Sequence, residues 1–202
     1  MLITPGQDDP VLVYRHLVNA VVPRPIGWIS TRSTAGVDNV APYSFFQAVS
    51  AKPAAVMFSS SQPRDGRVKD TLTNVRETGV FCVNIVSRHL SVQMNQTAAM
   101  IEAGESEFEL AGLESEPAKT IEVPRVKAAR VHLECRFHQE VQLGEGPMSS
   151  TVVFGLIELM EIHDSLLGED GFIDPKELNA IGRMGGNSYC RADDVFELDR
   201  PG

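Results

Sequence analysis

Apolar residues cluster along the first half of the chain in short runs that predict β-strands. Three runs, residues 26–33, 54–61 and 80–86, are rich in β-branched and aromatic side chains and end at polar segments. Residues 40–50 are also apolar and aromatic, but the proline among them favours an edge strand or a bulge. The segment TAGVDN between the first run and residue 40 has the Gly and Asn of a turn, so a hairpin is predicted.

The clearest strand pattern lies in the second half of the chain. From residue 131 to 138, Val, Leu, Cys and Phe alternate with His, Glu, Arg and His, the period of a strand with one buried and one exposed face. The turn-like segment GEGPM then leads into a second long strand over residues 151–163.

Helical spacing occurs only in short segments. Residues 68–79 and 89–100 each place apolar side chains at helical intervals, and residues 175–183 form a shorter piece. Residues 101–122 hold seven acids and one base, which predicts a solvated excursion. The fold class is therefore mainly β, an antiparallel barrel or sandwich with a few short helices. Strands and helices do not alternate as in a Rossmann fold, and no GxGxxG or Walker motif is present.

Charge narrows the choice of partners. The 202 residues carry a formal net charge of -9, which argues against nucleic acid or an anionic membrane surface as a partner. Between Pro23 and Arg76, however, seven basic residues stand against three acids, so this segment could hold a small anion. The length fits one domain over residues 1–202.

Location and metal content are predicted from what the chain contains. We expect a cytoplasmic protein without a membrane span, because no signal-like start or apolar stretch of about 20 residues is seen. The three cysteines lack metal-ligand spacing and fit a reducing compartment. The five histidines lack it too, so no metal site is expected.

The segment SSSQPRDGRVKDTLTN, residues 59–74, allows two interpretations. A helix beginning near Lys69 would present free N–H groups and a positive dipole end to a phosphate, with hydroxyl groups nearby. Alternatively, Asp70 and Thr71 cap that helix, and the serines only solvate a strand end. Taken alone, the segment favours capping, because hydroxyl groups and Asp are common at helix starts for that reason.

The predicted hairpin offers a second binding element. Its two strands would bring Trp28, Tyr43, Phe45 and Phe46 together, and a flat aromatic ligand could lie along them. Polar groups that could contact the edge of such a ligand are Ser30, Thr31, Asn39 and Ser44. Core packing explains each aromatic side chain singly.

An ordered set of motifs runs through most of the chain. They are PRPIGWIST at 23–31, NVAPYSFF at 39–46, KDT at 69–71 with Asn74, TGVFCVN at 78–84, and Gly182–Arg183, Gly185–Gly186 and Tyr189. In these motifs the sequence resembles the flavin reductase-like, FMN-binding split β-barrel family. The resemblance implies a homodimer of Greek-key-like split β-barrels that binds FMN near the subunit interface.

The resemblance also implies a set of cofactor-binding residues. Those expected along the isoalloxazine and ribityl groups are Trp28, Ile29, Ser30, Thr31, Asn39, Ala41 and Ser44. Those expected around the phosphate are Ser59, Ser60, Lys69, Asp70 and Thr71, with Asp70 turned away to cap the helix or brace Lys69. Gly185, Gly186 and Tyr189 would approach the flavin, from this subunit or its partner. No catalytic side chain is assigned, because hydride transfer is the chemistry of the flavin.

The resemblance implies an FMN-dependent oxidoreductase that uses NADH or NADPH to reduce flavin or another small molecule. A separate monooxygenase component could receive the reduced flavin. Two alternatives stay open: a non-catalytic flavin-binding or electron-carrier module, and a split barrel that binds another phosphorylated or tetrapyrrole ligand or serves as a dimeric scaffold.

Overall fold

The computed structural model describes residues 1–102 and 104–201. The strands are β1 (Arg24–Pro25), β2 (Gly27–Arg32), β3 (Asp38–Tyr43), β4 (Phe46–Ala51), β5 (Ala54–Ser61), β6 (Val80–Ile85), β7 (Ser115–Pro117), β8 (Pro124–Val126), β9 (Val131–Leu143), β10 (Ser150–Ile162), β11 (Ile181–Arg183) and β12 (Tyr189–Arg191). The helices are α1 (Pro10–Ala20), α2 (Asp70–Thr78), α3 (Ser91–Gln96), α4 (Glu107–Leu110) and α5 (Pro175–Leu178), with 3₁₀ turns at Arg88–Leu90 and Asp164–Leu166.

A seven-stranded antiparallel sheet organises the molecule in the order β3-β2-β6-β9-β10-β5-β4. Strand accounts for 38% of the chain and helix for 20%, which confirms the mainly β prediction. The hairpin of β2 and β3 is also confirmed, with Trp28 opposite Pro42 and Thr31 opposite Asn39. β3 is an edge strand of this sheet, the position in which a proline within a strand is usually found.

Two hydrophobic clusters lie on either side of β2. Ile29 packs with Phe58 and Phe81 in the larger cluster. Trp28 packs with Met94 and other residues in the second cluster, and its Nε1 donates to Thr97 Oγ1 at 2.9 Å. The alternation of side chains along a strand explains why these neighbouring residues enter different clusters. The second cluster fixes α3 and α4 against the hairpin.

The long hairpin of β9 and β10 confirms the two predicted strands, but part of one expected exposed face is covered. His132 and Glu134 fall on the polar phase of β9, yet their exposed fractions are 4% and 0%. The small β7–β8 hairpin covers them and brings Arg125 within 3.7 Å of Glu134. The alternation therefore predicted the strand correctly, and it predicted solvent exposure correctly at Arg136 and His138 but wrongly at His132 and Glu134.

Three helical segments differ from expectation. Helix α1 was not predicted, although Asp9 accepts from Val11 N as an N-cap and Pro10 occupies the first turn, a common start signal. The segment predicted as a helix over 89–100 is a 3₁₀ turn followed by the six-residue α3. Residues 101–122 are not simply a solvated excursion, because Glu107 and Phe108 of α4 are buried. Within the described residues, no helix has the length and apolar character needed to cross a membrane.

Candidate functional site

A cavity of about 660 Å³ lies at the start of α2, and we call it the lysine cavity. Its walls come from β3, the loop after β5, the first turn of α2, residues 97–101 and α4. The volume is within the range of small-molecule and cofactor sites, roughly 300–1,000 Å³. Five predicted cofactor-binding residues line it: Asn39, Ala41, Lys69, Asp70 and Thr71.

Lys69 is the N-cap residue of α2 and lies at the cavity wall. Its side chain remains accessible to solvent, but the surrounding protein lowers the pKa of its amino group through desolvation. Nζ lies 5.2 Å from the centre of the Tyr43 ring, and no carboxylate among the described residues forms an ion pair with it. The cation therefore faces the cavity without a counterion in this part of the protein.

The start of α2 carries no side-chain cap. Lys69 makes no side-chain cap hydrogen bond, and Thr71 Oγ1 donates to Asn39 Oδ1 at 2.8 Å instead. The expectation that Asp70 caps the helix or braces Lys69 is wrong, because its carboxylate bonds to neither within the described chain. Of the two interpretations of this segment, helix capping loses its support, while an anion site keeps the uncapped N–H groups it requires.

Buried hydrogen bonds join five polar residues from four separate elements, β2, β3, α2 and α4. Asn39 Oδ1 accepts from Thr71 Oγ1 and, at 3.2 Å, from Thr31 Oγ1. Thr31 Oγ1 in turn accepts from Asn74 Nδ2 at 3.0 Å. On the other side, Asn39 Nδ2 donates to both carboxylate oxygens of Glu107 at 2.9 and 2.8 Å. The network holds β2, β3, α2 and α4 in fixed relation behind the cavity wall.

Glu107 is the residue of the lysine cavity that sequence reasoning missed. Its carboxylate also accepts from Val40 N at 3.2 Å, and burial raises its pKa. Glu107 lies in a stretch rich in exposed acids, and the acidic composition of that stretch predicted that all of it would be exposed to solvent. The apolar Phe108 and Leu110 within SEFEL are the signal that could have indicated a short helix with one packed face.

Tyr43 contributes an unpartnered hydroxyl group to the same wall. The side chain is 4% exposed, and burial raises its pKa to about 12. Ser60 and Thr71 lie beside the hydroxyl, but no described residue meets the geometry of a hydrogen bond to it. A buried hydroxyl without a partner is uncommon in proteins and is consistent with a site that a ligand completes.

A small cleft of about 130 Å³ adjoins the lysine cavity along Ser61 and Lys69. Ser60 and Arg76 also line this cleft. Arg76 pairs with Glu140 at 2.8 Å, and the nearby Arg67 pairs with Asp65 at 2.7 Å. Of Lys69, Arg67 and Arg76, Lys69 is therefore the one that forms no ion pair with a carboxylate among the described residues.

A second large cavity, of about 760 Å³, shares Pro42 and Ala98 with the lysine cavity. We call it the arginine cavity, because Arg15, Arg24 and Arg183 line it. Helix α1 and the segment that joins β11 to β12 form much of its wall. The predicted residues Ser44, Gly185, Gly186 and Tyr189 are found here.

The remaining predicted residues line none of these three cavities. Trp28, Ile29, Ser30 and Thr31 are completely buried, and Ser30 Oγ donates to the carbonyl oxygen of Pro124 at 2.6 Å. Ser59 is also buried, and its N–H donates to Phe45 O at 2.8 Å. These side chains support the strands behind the cavities. That they contact a ligand stays a prediction.

The described residues contain no group of three His, Cys, Asp or Glu side chains placed to hold a metal ion. His132 illustrates a structural histidine. Burial lowers its pKa to about 4, and its Nε2 lies 2.9 Å from Ala129 O. Such a histidine stays neutral near pH 7.

Three solved structures resemble this one over nearly its whole length. Nitrilotriacetate monooxygenase component B from Bacillus cereus has a TM-score of 0.91 and 32% identity, covering 98% of each chain. The 2-nitrobenzoate 2-nitroreductase of Pseudomonas fluorescens has a TM-score of 0.88 and 28% identity, covering 100% of this chain and 96% of that one. A Shewanella frigidimarina protein described as having a split barrel domain has a TM-score of 0.84 and 22% identity, with both chains covered completely, which confirms the split-barrel fold.

The family comparison agrees with these likenesses. Residues 19–176 match the sequence profile of the flavin reductase like domain. The match includes β2, β3 and α2, which form much of the lysine cavity. More than half of the chain is covered, and this protein therefore belongs to the flavin reductase-like domain family.

Proposed function

We propose that the lysine cavity binds FMN and that the protein is an NADH- or NADPH-dependent oxidoreductase acting on flavin or another small molecule. The phosphate would lie beside Lys69 and the first turn of α2, with Ser60 and Thr71 nearby. The ring system would lie toward Asn39 and Ala41. Trp28, Ile29, Ser30, Thr31 and Ser59 would hold the strands behind it, and Asp70 would stay at the rim.

The observation that carries this proposal is Lys69 itself. Among the described residues, no carboxylate forms an ion pair with its ammonium group. The residue lies at the start of a helix without a side-chain cap, and it lines a cavity of about 660 Å³. A phosphate would accept hydrogen bonds from both the ammonium and the free N–H groups. The unpartnered Tyr43 hydroxyl gives a further donor or acceptor on the same wall. The residues present therefore fit a phosphorylated cofactor.

The proposed reaction follows from the cofactor and the family. When bound, flavin supplies the hydride and electron transfer, while the chain binds, orients and shields it. Similarity to a nitroreductase and to a monooxygenase component supports a small acceptor, or a separate monooxygenase that uses the reduced flavin. We further propose one domain over residues 1–202, a cytoplasmic location and a homodimer in which Ser44 and Tyr189 lie near the flavin.

Flavin binding is tested first with the purified protein. We expect a flavin spectrum, release of FMN on denaturation as identified by mass spectrometry, and quenching of FMN fluorescence when the emptied protein is titrated. Lys69→Met should weaken FMN binding by about 1.5–3 kcal/mol, the scale of a hydrogen bond to a charged group. Lys176→Met is the matched control, because Lys176 is exposed on α5 and lines none of the three cavities. If Lys69→Met and Lys176→Met bind FMN with equal affinity, the phosphate does not lie beside Lys69.

Turnover is tested separately by rapid mixing of the flavin-loaded protein with NADH or NADPH under anaerobic conditions. An oxidoreductase bleaches the flavin absorbance at a rate that rises with donor concentration. Oxidised flavin that persists with both donors would instead identify a binding or carrier module. The two experiments thus separate cofactor binding from activity.

A further inference from the structure

The arginine cavity has an unusual charge balance. Three arginines line it, and none of the described lining residues is Asp or Glu. In a protein with a formal net charge of -9, a cavity of about 760 Å³ lined by cations and no anions is a marked local exception. Unlike Lys69, these arginines lie on the other side of the wall formed by Pro42 and Ala98.

Arg24 is the buried member of the set. It is 6% exposed, and its Nη1 donates to Val18 O and Val21 O at 2.6 and 2.7 Å, at the end of α1. Its Nη2 donates to Met184 O at 2.9 Å, while its Nε is buried without a described partner. All its partners are neutral carbonyl groups. Burial lowers the pKa of Arg24, and the positive charge of Arg183 lowers it further.

Arg183 is held in place by neutral groups as well. Its guanidinium lies 4.5 Å from the centre of the Tyr189 ring and donates to the Tyr189 hydroxyl and to Gly186 O. These contacts fix the plane of the guanidinium without offsetting its charge. A fixed, planar arginine is well suited to two parallel hydrogen bonds with a carboxylate or phosphate.

Several arginines elsewhere in the described chain are paired with acids, whereas Arg64, Arg88, Arg130 and Arg200 form no ion pair but line none of the three cavities. Arg32, Arg67, Arg76 and Arg136 each pair with a carboxylate at 2.6–2.8 Å. Arg15, Arg24 and Arg183 form no ion pair with a described carboxylate, and all three lie around one cavity. Arg15 is exposed on α1, so its guanidinium can move toward a ligand.

We propose that the arginine cavity binds an organic anion, the carboxylate or phosphate group of the second substrate, through Arg15 and Arg183. This inference rests on the proposed function, because flavin in the lysine cavity would adjoin the shared wall of Pro42 and Ala98. Arg24 positions the wall by tying the end of α1 to Met184, between β11 and β12. The arginines of the cavity therefore favour anions over neutral molecules of the same shape.

The test uses calorimetric titration of the FMN-loaded protein with two matched pairs of probes. Benzoate and neutral benzamide represent a carboxylate acceptor, and ADP and neutral adenosine represent the phosphates of a nicotinamide dinucleotide. We expect at least one anion to bind about tenfold or more tightly than its neutral partner, since one charged hydrogen bond contributes about 1.5–3 kcal/mol. Tight benzoate alone identifies a carboxylate site, and tight ADP alone identifies a phosphate site.

Two variants assign this preference to the cavity. Arg183→Gln and Arg15→Gln should each reduce anion binding about tenfold or more and leave the neutral probes unchanged. Arg88→Gln is the control, because Arg88 is exposed, donates to Ser91 Oγ and lies outside the cavity. Arg15 is on the surface, so its replacement reports on binding even if Arg183→Gln disturbs the fold.

Several results would overturn the inference. The inference is overturned if benzoate and ADP bind no tighter than benzamide and adenosine. It is also overturned if Arg15→Gln and Arg88→Gln bind the anions equally well. If a second copy of the chain fills the cavity with one of its own carboxylates, the anions will bind no tighter than the neutral probes. Titrations repeated without FMN keep the two proposals distinguishable: absence of FMN binding contradicts the proposed function, while the difference in anion binding between emptied Arg15→Gln and emptied Arg88→Gln still judges the arginine cavity.

Discussion

Buried charge is arranged in opposite ways in two regions of this molecule. Beneath the β7–β8 hairpin, the Arg125 side chain is 7% exposed and contacts Glu161 at 2.6 Å, Glu116 at 2.8 Å and Glu134 at 3.7 Å. Glu134 also accepts from Lys119 N and from the N–H and hydroxyl of Thr120, at 2.6–2.7 Å. We call these residues the arginine–glutamate cluster. Every charge in it has an opposite charge or a donor close by.

The two cavities show the reverse arrangement. Arg24 and Glu107 are buried and hydrogen-bond to neutral groups, Lys69 is partly desolvated at the cavity wall, and none of the three forms an ion pair with an opposite charge among the described residues. Removing a charge from water is costly unless a partner compensates for it. Arg67 and Arg76 are paired with acids at the cavity walls, but Lys69, Arg15, Arg24 and Arg183 have no such partner, which is consistent with sites that receive an anion. The arginine–glutamate cluster thus neutralises its charges, whereas these four cations of the two cavities remain without an opposite charge among the described residues.

The largest effect predicted by this comparison is the loss of Arg125. Arg125→Ala should lower the free energy of unfolding by about 3 kcal/mol or more, because Glu134 would stay buried without a cation. Urea denaturation measures the change. The control is Arg136→Ala, since Arg136 is 56% exposed in its pair with Glu158, and such surface pairs contribute about 0–1 kcal/mol. Similar losses in both variants would show that the cluster is no more structural than a surface ion pair.

Local pattern predicted much of the sheet from the sequence. The turn and the two apolar runs predicted the β2–β3 hairpin, and Pro42 predicted that β3 would be an edge strand. Exposure is less local. The alternation in β9 is real, but whether its polar face meets water depends on how the preceding β7–β8 hairpin packs, which places Arg125 3.7 Å from Glu134. No periodicity within β9 could have indicated Arg125 as the partner of Glu134.

The candidate site was predictable to the extent that its residues lie next to one another in sequence. Lys69 and Thr71 were found because a helix start has a local signal. Glu107 was missed because its burial follows from contact with Asn39 and Val40 across the fold. The three arginines of the arginine cavity were missed for the same reason, since α1 and the chain after β11 meet only in three dimensions.

A smaller effect is predicted for the unpaired acid. Burial raises the pKa of Glu107 in the folded protein, so the fold binds this proton more tightly than the unfolded chain does. Its stabilising contribution is complete below the ordinary pKa of 4.5 and is lost as pH rises through the raised value. Glu107→Gln removes that loss and keeps an oxygen that can accept from Asn39. Relative to the wild type, the variant should gain stability as pH rises above 4.5, by less than Arg125→Ala loses.

The matched control for this titration is Glu109→Gln, because Glu109 lies on the same short helix and is exposed. Urea denaturation at several pH values gives the difference in unfolding free energy between each variant and the wild type. The negative charge of Asp70 also raises the pKa of Glu107. Asp70 is unchanged in all of these variants, so its effect does not differ between them. A constant difference for Glu107→Gln across the pH range would show that its carboxylate has the same proton affinity in both states.

The smallest effect on stability is predicted for Lys69→Met. Desolvation lowers the pKa of Lys69, so its charge opposes folding at neutral pH, and methionine removes that opposition. The contact of Nζ with the Tyr43 ring acts in the other direction, and such contacts contribute about 0.5–1 kcal/mol at exposed sites. The two effects should nearly cancel, leaving the free energy of unfolding of the flavin-free protein within about 0.5 kcal/mol of the wild type. A loss as large as that of Arg125→Ala would make Lys69 a structural charge and remove the distinction between the cavities and the arginine–glutamate cluster.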